Sequence, residues 1–157
     1  MADINILEGK KVLIVDDEPD ILEALEETLD MCEVDTSTEF EAAKQLLTSK
    51  NYDIVVLDIM GVDGYELLAV TQKNGIPAVM LTAHALSADN FAKSMDGGAC
   101  AYLPKDRLFE IDVFLSDVLE DSCSNRGVLG KWFGRLKGYY ENKFGPGWLD
   151  EYKQSWH

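Results

Sequence analysis

The sequence is short of basic residues, with 14 Lys and Arg against 29 Asp and Glu and a formal net charge of −15. A chain this acidic repels the phosphates of DNA and RNA, which argues against nonspecific nucleic-acid binding by the whole molecule. The same charge favours metal ions or cationic partners. With 157 residues, 46% of them hydrophobic, the chain is long enough for one compact domain of about 100 to 150 residues plus an appendage.

Long hydrophobic runs and cysteine motifs are also missing. No apolar run approaches the ~18 residues of a membrane span, and the N-terminus lacks the basic and apolar regions of a signal peptide. The three cysteines, Cys32, Cys100 and Cys123, are far apart and form no CxxC pair. These absences predict a cytoplasmic protein without membrane contact, whose reduced thiols form neither a disulfide framework nor a zinc site.

The sequence does contain a regular alternation of apolar runs and helical patterns. The runs are rich in Val, Ile and Leu, as expected for strands buried on both faces, and apolar residues at helical spacing follow them. The predicted strands are Lys11–Val15, Val34–Ser37, "YDIVVLD", "IPAVMLT" and "ACAYLPK". Five strands alternating with five helices predict an α/β fold with a doubly wound, five-stranded parallel sheet.

Five polar residues stand where these predicted strands end: Asp16 and Asp17 after the first, Asp58 after the third, then Thr82 and Lys105. The carboxyl ends of parallel strands converge on one crevice, so these side chains are expected to meet there. Three carboxylates suit Mg²⁺, which prefers oxygen ligands and offsets the repulsion between adjacent aspartates. Asp58 would then be a nucleophile toward a phosphoryl group, whose oxygens Thr82 and Lys105 contact.

Taken one at a time, the same residues have simpler explanations. The acidic run 16–18 also suits the cap of the helix that begins near Pro19, and Asp58 alone is typical of a strand end or turn. Thr82 alone fits an ordinary strand residue, and Lys105 alone fits a solvated surface charge. Their joint occurrence at the ends of several strands is what favours a site.

Four motifs resemble the receiver domain of bacterial two-component response regulators: "VLIVDDEPD", "VVLDIM…DGYELL", "VMLTA" and "GACAYLPK". The resemblance extends over residues 10–121, with the motifs in the family's order and spacing. It implies a flavodoxin-like receiver fold and a signalling protein rather than an enzyme, although one with its own phosphotransfer and autodephosphorylation chemistry. The phosphoryl donor that it implies is a histidine kinase or a phosphotransfer protein.

The resemblance also implies roles for individual residues. Asp58 is the expected phosphorylation site. The expected Mg²⁺ ligands are Asp17, which binds directly, Asp16, which binds largely through water, Asp58, and the backbone carbonyl of Met60. Thr82 and Tyr102 are the expected switch pair, and Lys105 is the expected phosphate-sensing lysine.

The chain departs from the family's pattern at two loops. The loop between Asp58 and the "DG" of Asp63 and Gly64 is shorter than usual and lacks the customary proline, which leaves the position of Met60 open. Lys105 is followed by Asp106, where the family usually has a proline after a cis peptide bond. Without a proline a trans bond is expected, and with it a differently shaped last loop.

The C-terminal residues differ in composition from the rest. Residues 124–157 contain six basic and three acidic residues and all three tryptophans, for a formal charge of +3, whereas residues 1–123 carry −18. This shift predicts a boundary near residues 122–127, between a receiver domain at 10–121 and a helical extension at 122–157.

Apolar residues at helical spacing predict two helices in this extension, separated by "GPG". The first contains Leu129, Trp132, Phe133, Leu136, Tyr140 and Phe144, and the second, which is short, contains Trp148, Leu149, Tyr152 and Trp156.

Three glycines, Gly130, Gly134 and Gly138, recur every four residues in the first of these helices. Because a glycine in a helix costs about 1 kcal/mol relative to alanine, the stripe predicts that another backbone approaches closely. The broad apolar stripe of the same helix favours self-association. The alternatives are a partly disordered tail whose aromatic residues cover the receiver domain and a tail that docks a partner.

The prediction as a whole is a response regulator in which phosphorylation of Asp58 changes a contact with a downstream protein target. One alternative is a magnesium-dependent phosphatase with an aspartyl nucleophile, but such enzymes need an aspartate at the position of Met60. Another is a small transcription regulator, for which the extension is too short to form a winged-helix domain. Neither nucleic acid nor membrane is an expected partner.

Overall fold

The computed structural model describes residues 4–83, 87–121 and 130–150. Its centre is a five-stranded sheet in the order β2-β1-β3-β4-β5, in which every neighbouring pair is parallel. The strands are β1 (Lys11–Val15), β2 (Glu33–Ser37), β3 (Ile54–Asp58), β4 (Ala78–Thr82) and β5 (Ala101–Pro104). The predicted doubly wound α/β fold is confirmed.

Six α-helices accompany the sheet. They are α1 (Pro19–Thr28), α2 (Phe40–Ser49), α3 (Gly64–Lys73), α4 (Ala88–Asp96), α5 (Ile111–Asp121) and α6 (Lys131–Phe144). Two 3₁₀ turns lie at Ile4–Leu7 and Lys105–Glu110. The first five helices alternate with the strands, and α6 belongs to the C-terminal extension. Among the residues that the structure describes, no helix has the length and apolar composition that a membrane span requires.

Burial along the strands follows their place in the sheet. Every residue of β3 and β4 is buried, because these strands have neighbours on both sides and helices on both faces. The edge strand β2 is buried only at Ser37, which accounts for its weak apolar pattern in the sequence. The central strands therefore form the rigid base from which the residues at their carboxyl ends project.

The connection from β3 to α3 is tight, and glycines make it possible. Gly61 has φ +90°, in the region that favours glycine, and Asp63 also has a positive φ of 53°. A Cβ on Gly64 would lie 2.2 Å from the carbonyl oxygen of Asp58. The short loop noted in the sequence thus ends with the first turn of α3 packed directly on the end of β3.

The chain after β5 first forms a 3₁₀ turn and only then an α-helix. Residues 105–110 form the 3₁₀ turn, so Leu108 lies outside α5, which begins only at Ile111. The described residues contain no cis peptide bond, which confirms the trans expectation for Lys105 and Asp106. Lys105 follows β5 directly and is itself buried.

The C-terminal extension packs on the α/β part of its own chain. The buried side of α6 meets the ring of Phe91 in α4, which lies 5.7 Å from Tyr140 and 5.0 Å from Trp148 between ring centroids. The buried residues of α6 are Trp132, Phe133, Leu136 and Tyr140. A helical segment begins again at Trp148, while Leu129, Tyr152 and Trp156 lie outside the described residues. The apolar stripe that suggested self-association is therefore buried within the chain, and self-association itself stays a prediction.

The glycine stripe does not have the role that the sequence suggested. Gly130 lies before α6 as its N-cap, and a Cβ on Gly134 or Gly138 would meet nothing within 4 Å. Both positions are on the exposed side of the helix. The prediction of a close backbone approach at this stripe is wrong for the contacts within the described chain.

The cysteines also differ from expectation. Cys32 is free, whereas Cys100 is disulfide-bonded. The prediction that all thiols are reduced is therefore wrong in this structure.

Substituting alanine for either exposed glycine of α6 is expected to stabilise the protein. Gly134→Ala and Gly138→Ala should each raise the free energy of unfolding by up to about 1 kcal/mol, since alanine forms helix more readily and no atom obstructs its methyl group. Urea denaturation measures the change. Gly64→Ala is the opposing control and should destabilise, because its methyl group would collide with the Asp58 carbonyl. A loss of stability in the α6 variants would contradict the open environment of that face.

Candidate functional site

The site lies at the carboxyl edge of the sheet, where four buried polar side chains come from four strand ends. Asp16 follows β1, Asp58 ends β3, Thr82 ends β4 and Lys105 follows β5, and all four are at least nine-tenths buried. The structure therefore brings the predicted residues to one edge. Asp17 is also there, but it is exposed.

Lys105 links the carboxylates of this edge. Its Nζ lies 2.9 Å from Asp16 Oδ2, 2.9 Å from Glu18 Oε1 and 3.3 Å from Asp58 Oδ1. Glu18 was not among the predicted site residues, because its place before Pro19 suggested only a helix cap. The structure gives Glu18 no side-chain capping bond at α1 and places its carboxylate on Lys105 instead.

Burial and neighbouring charges set the ionisation of the site. Burial, followed by the negative charge of Asp16, raises the pKa of Asp58 to about 7, although Lys105 opposes the shift. Burial likewise raises the pKa of Asp16. Burial alone would lower the pKa of Lys105, but the hydrogen bond with Glu18 and the ion pair with Asp16 outweigh it and raise that pKa. Lys105 therefore remains positively charged, and it faces the carboxyl groups of Asp16 and Asp58, whose simultaneous ionisation is unfavourable.

The acidic residues next to Lys105 suit a divalent cation. Carboxylate oxygens of Asp16, Asp17 and Glu18 lie within 4.8 Å of one another. Asp16 Oδ1 accepts a hydrogen bond from the Glu18 N–H, whereas the buried Oδ2 has an ion-pair partner but no well-aligned donor. A Cβ on Gly61 would lie 2.5 Å from the Asp17 carboxylate, so the glycine leaves room for it. Hard cations such as Mg²⁺ prefer an all-oxygen set of this kind.

The cleft above Asp58 is open to solvent. Its walls come from the loops after β1, β3, β4 and β5, with Asp17, Glu18, Met60, Gly61, Ala83 and Lys105 around Asp58. Met60 lies on the rim with an exposed side chain. Its backbone carbonyl as a metal ligand stays a prediction.

The predicted switch residue Tyr102 lies behind this edge, under the C-terminal extension. It is fully buried, and its hydroxyl accepts a hydrogen bond from the Ser87 N–H at 3.1 Å. Ser87 caps α4, the helix reached by the chain after Thr82. Tyr102 thus contacts the far end of the connection that begins at Thr82, although its role in switching stays a prediction.

The sequence is similar to a known protein family and to several of its members. The response regulator receiver domain model matches residues 12–113. A two-component response regulator of Arabidopsis thaliana is 36% identical over 103 residues, which are 62% of this chain and 16% of that protein. The C4-dicarboxylate transport transcriptional regulatory protein of Pseudomonas aeruginosa is 35% identical over 119 residues, 71% of this chain and 24% of that one. The chain thus spans a quarter or less of the length of these two relatives.

Solved structures agree on the fold. A Francisella response regulator receiver domain has a TM-score of 0.65 at 24% identity, covering 73% of this chain and 99% of that one. A CheY-like receiver domain protein from Methanospirillum hungatei has a TM-score of 0.60 at 25% identity, covering 72% and 98%. Both matches leave about a quarter of this chain without a counterpart.

Asp58→Asn is expected to stabilise the metal-free protein at pH 8. The pKa of Asp58, about 7, lies above the ordinary 3.8, so between these values the folded state holds the proton more tightly. Stability should therefore fall as pH rises from about 4 to about 7, and asparagine should flatten this slope. Thermal melts with a chelator at pH 5 and pH 8 measure the effect. Asp30→Asn, at an exposed position, is the control; identical pH slopes in the wild type and Asp58→Asn would contradict the expectation.

Proposed function

The chain belongs to the response regulator receiver domain family, and we propose that it signals by carrying a phosphoryl group on Asp58. As a receiver domain of two-component response regulators it is a signalling protein. The single observation that carries the proposal is the position of Asp58, whose carboxylate ends the central strand β3, lines an open cleft and lies 3.3 Å from the Lys105 ammonium.

The proposed reaction transfers a phosphoryl group to the Asp58 carboxylate. A carboxylate oxygen attacks the phosphorus atom of a phosphohistidine or a small acyl phosphate, and the bond from phosphorus to the donor breaks with its electron pair leaving on the donor. The product is an acyl phosphate. Lys105 pairs with one phosphoryl oxygen, and the Thr82 hydroxyl donates to another.

Magnesium is the cofactor that suits this chemistry. Asp17 would bind it directly, Asp16 largely through water, and Asp58 and the Met60 carbonyl would complete the protein ligands. Bound there, the cation neutralises charge on the oxygens of the transferred group. The carboxylates of Asp16 and Asp17 lie close enough together for this role, and the negative charge of the edge favours it.

We propose that phosphorylation of this chain acts by changing its contact with another protein. The donor is a histidine kinase or a phosphotransfer protein, and the target is a downstream protein that recognises the phosphorylated state. Some relatives are named as transcriptional regulators, and the matched region covers 24% of the one from Pseudomonas aeruginosa. Residues 130–150 form a helix and the start of another, packed on the receiver by an aromatic cluster, which supports a protein contact rather than a DNA-reading element.

Incubation with Mg²⁺ and acetyl phosphate should convert Asp58 to an acyl phosphate that is stable in acid and labile in base. Mass spectrometry of the intact chain measures one added phosphoryl group. Asp58→Asn should abolish the addition, because the amide is not a nucleophile of this kind. Asp53→Asn, an exposed aspartate on the opposite edge of the sheet, is the control and should label normally. Undiminished labelling of Asp58→Asn would show that another group accepts the phosphate.

Asp17→Ala should weaken magnesium binding more than Asp16→Ala, since Asp17 is the exposed carboxylate on the cleft and Asp16 is already paired with Lys105. The loss at Asp17 should reach at least the roughly tenfold decrease that removing an outer-shell partner causes. Calorimetric titration is the measurement, and Asp20→Ala on the exposed side of α1 is the control. Equal affinities in all four proteins would count against a metal site here.

A further inference from the structure

Two adjacent tyrosines of α6 make hydrogen bonds on either side of Lys105. The Tyr140 hydroxyl donates to the backbone carbonyl of Tyr102 in β5. The Tyr139 hydroxyl donates to Asp106 Oδ2 at 2.8 Å. Lys105 lies in the chain between these two contact points. The C-terminal extension therefore holds the short segment that carries the ammonium group of the site.

The Tyr140 contact is buried and acts on an edge strand. In the described sheet β5 pairs only with β4, and the side chain of Tyr140 is fully buried against it. A buried backbone carbonyl at a sheet edge needs a donor from outside the sheet. Tyr140 supplies that donor to Tyr102, and the two rings lie 6.0 Å apart. This contact fixes the position of β5 shortly before Lys105.

The Tyr139 contact acts on the turn that follows Lys105. Burial and the hydrogen bond to Asp106 raise the pKa of Tyr139 to about 12, so the hydroxyl keeps its proton and donates at neutral pH. Asp106 is not a proline, so no ring restrains the backbone at this position. The side-chain contact from α6 restrains the turn instead.

The helix that carries the two tyrosines is anchored by other residues. Arg135 binds the buried carboxylate of Asp117 in α5 through two hydrogen bonds, with Nε 2.5 Å from Oδ2 and Nη2 3.1 Å from Oδ1. The Lys131 backbone N–H donates to Asp121 Oδ2 at 3.0 Å. Because a bidentate pair of this kind fixes orientation, α6 is a defined support for Tyr139 and Tyr140.

We propose that Tyr139 and Tyr140 are positioning residues that hold Lys105 where its ammonium reaches Asp58, so that the C-terminal extension tunes phosphoryl transfer. The inference rests on the proposed function of Asp58. Neither tyrosine touches the reacting atoms; each acts through the backbone on one side of Lys105. Lysine is a flexible point charge, so losing one support should slow the reaction rather than abolish it.

The coupling must work in both directions. If a docked α6 favours the lysine position that an anion at Asp58 requires, an anion bound there favours the docked α6 to the same extent. Two tryptophans of the extension, Trp132 and Trp148, are buried in the docked arrangement. Their protection from a soluble quencher therefore reports how firmly the extension is docked.

The test compares full-length variants in two measurements. Tyr139→Phe and Tyr140→Phe keep the rings and remove the hydroxyls; each should slow phosphorylation by acetyl phosphate about fivefold at most, the effect of one lost hydrogen bond, and the double variant should be slower. Donor concentration is varied, because a misplaced lysine lowers the maximal rate.

Acrylamide quenching is then measured with and without Mg²⁺ and beryllofluoride, a phosphoryl analogue. The analogue should protect the tryptophans in the wild type and protect them less in the double variant.

Two controls separate positioning from general stability. Asn142→Ala changes an exposed residue of α6 and should behave as the wild type. Leu47→Ala removes a buried side chain from α2, a helix that packs on α3 and β2, and should lower the melting temperature without changing the maximal rate. If it slows phosphorylation as much as the tyrosine variants do, the tyrosines are only structural and the positioning role is overturned.

The outcomes also distinguish this inference from the proposed function. A wild type that gains no phosphoryl group would refute the role of Asp58. A wild type that is labelled normally, with tyrosine variants of equal rate and unchanged quenching, would overturn the positioning role and leave the role of Asp58 intact. Slower variants together with analogue-dependent protection would support both.

Discussion

The ion pairing of Lys105 is the interaction on which the arrangement of the site depends. Without its ammonium, the buried carboxylates of Asp16 and Asp58 would face each other in a poorly solvated edge, where like charges repel strongly. One positive charge does not balance three carboxylates once Glu18 is included. Burial, together with the negative charge of Asp16, raises the pKa of Asp58, and the negative charge that Lys105 leaves unbalanced suits this edge to a divalent cation.

The parallel sheet brings together site residues that lie far apart in the sequence. Asp16, Asp58 and Lys105 are each more than 40 residues from the next, yet parallel strands end at the same edge, so each needs only to follow its strand. The order of the strands puts β3 between β1 and β4, which places Asp58 at the middle of that edge. Residues at strand ends are therefore predictable from the apolar runs alone, and the convergence expected from the sequence was found.

What the sequence did not predict depends on contacts with little local signal. Glu18 precedes a proline at a helix start and so resembled a cap, whereas its partner is Lys105, 87 positions away. The 3₁₀ turn after β5 contains apolar residues such as Leu108 that would fit an α-helix equally well, so the sequence does not separate this turn from α5. The glycines at every fourth position indicated only that the helix is less stable than one with alanines there. Which side of α6 is buried depends instead on its larger apolar residues. Helical spacing identified that apolar side but not the surface that it covers.

The surface that α6 covers connects the C-terminal extension to the site. This connection restricts how a partner can bind there. The rings of α6 and Trp148 surround Phe91, and the Tyr140 hydroxyl donates to the Tyr102 carbonyl of β5. A second protomer or a target protein that binds this face must first displace α6, because the same rings cannot be buried twice. Displacement also removes the hydrogen bonds beside Lys105. Binding at this face and the charge arrangement around Asp58 are therefore connected through the backbone of a single strand and its following turn.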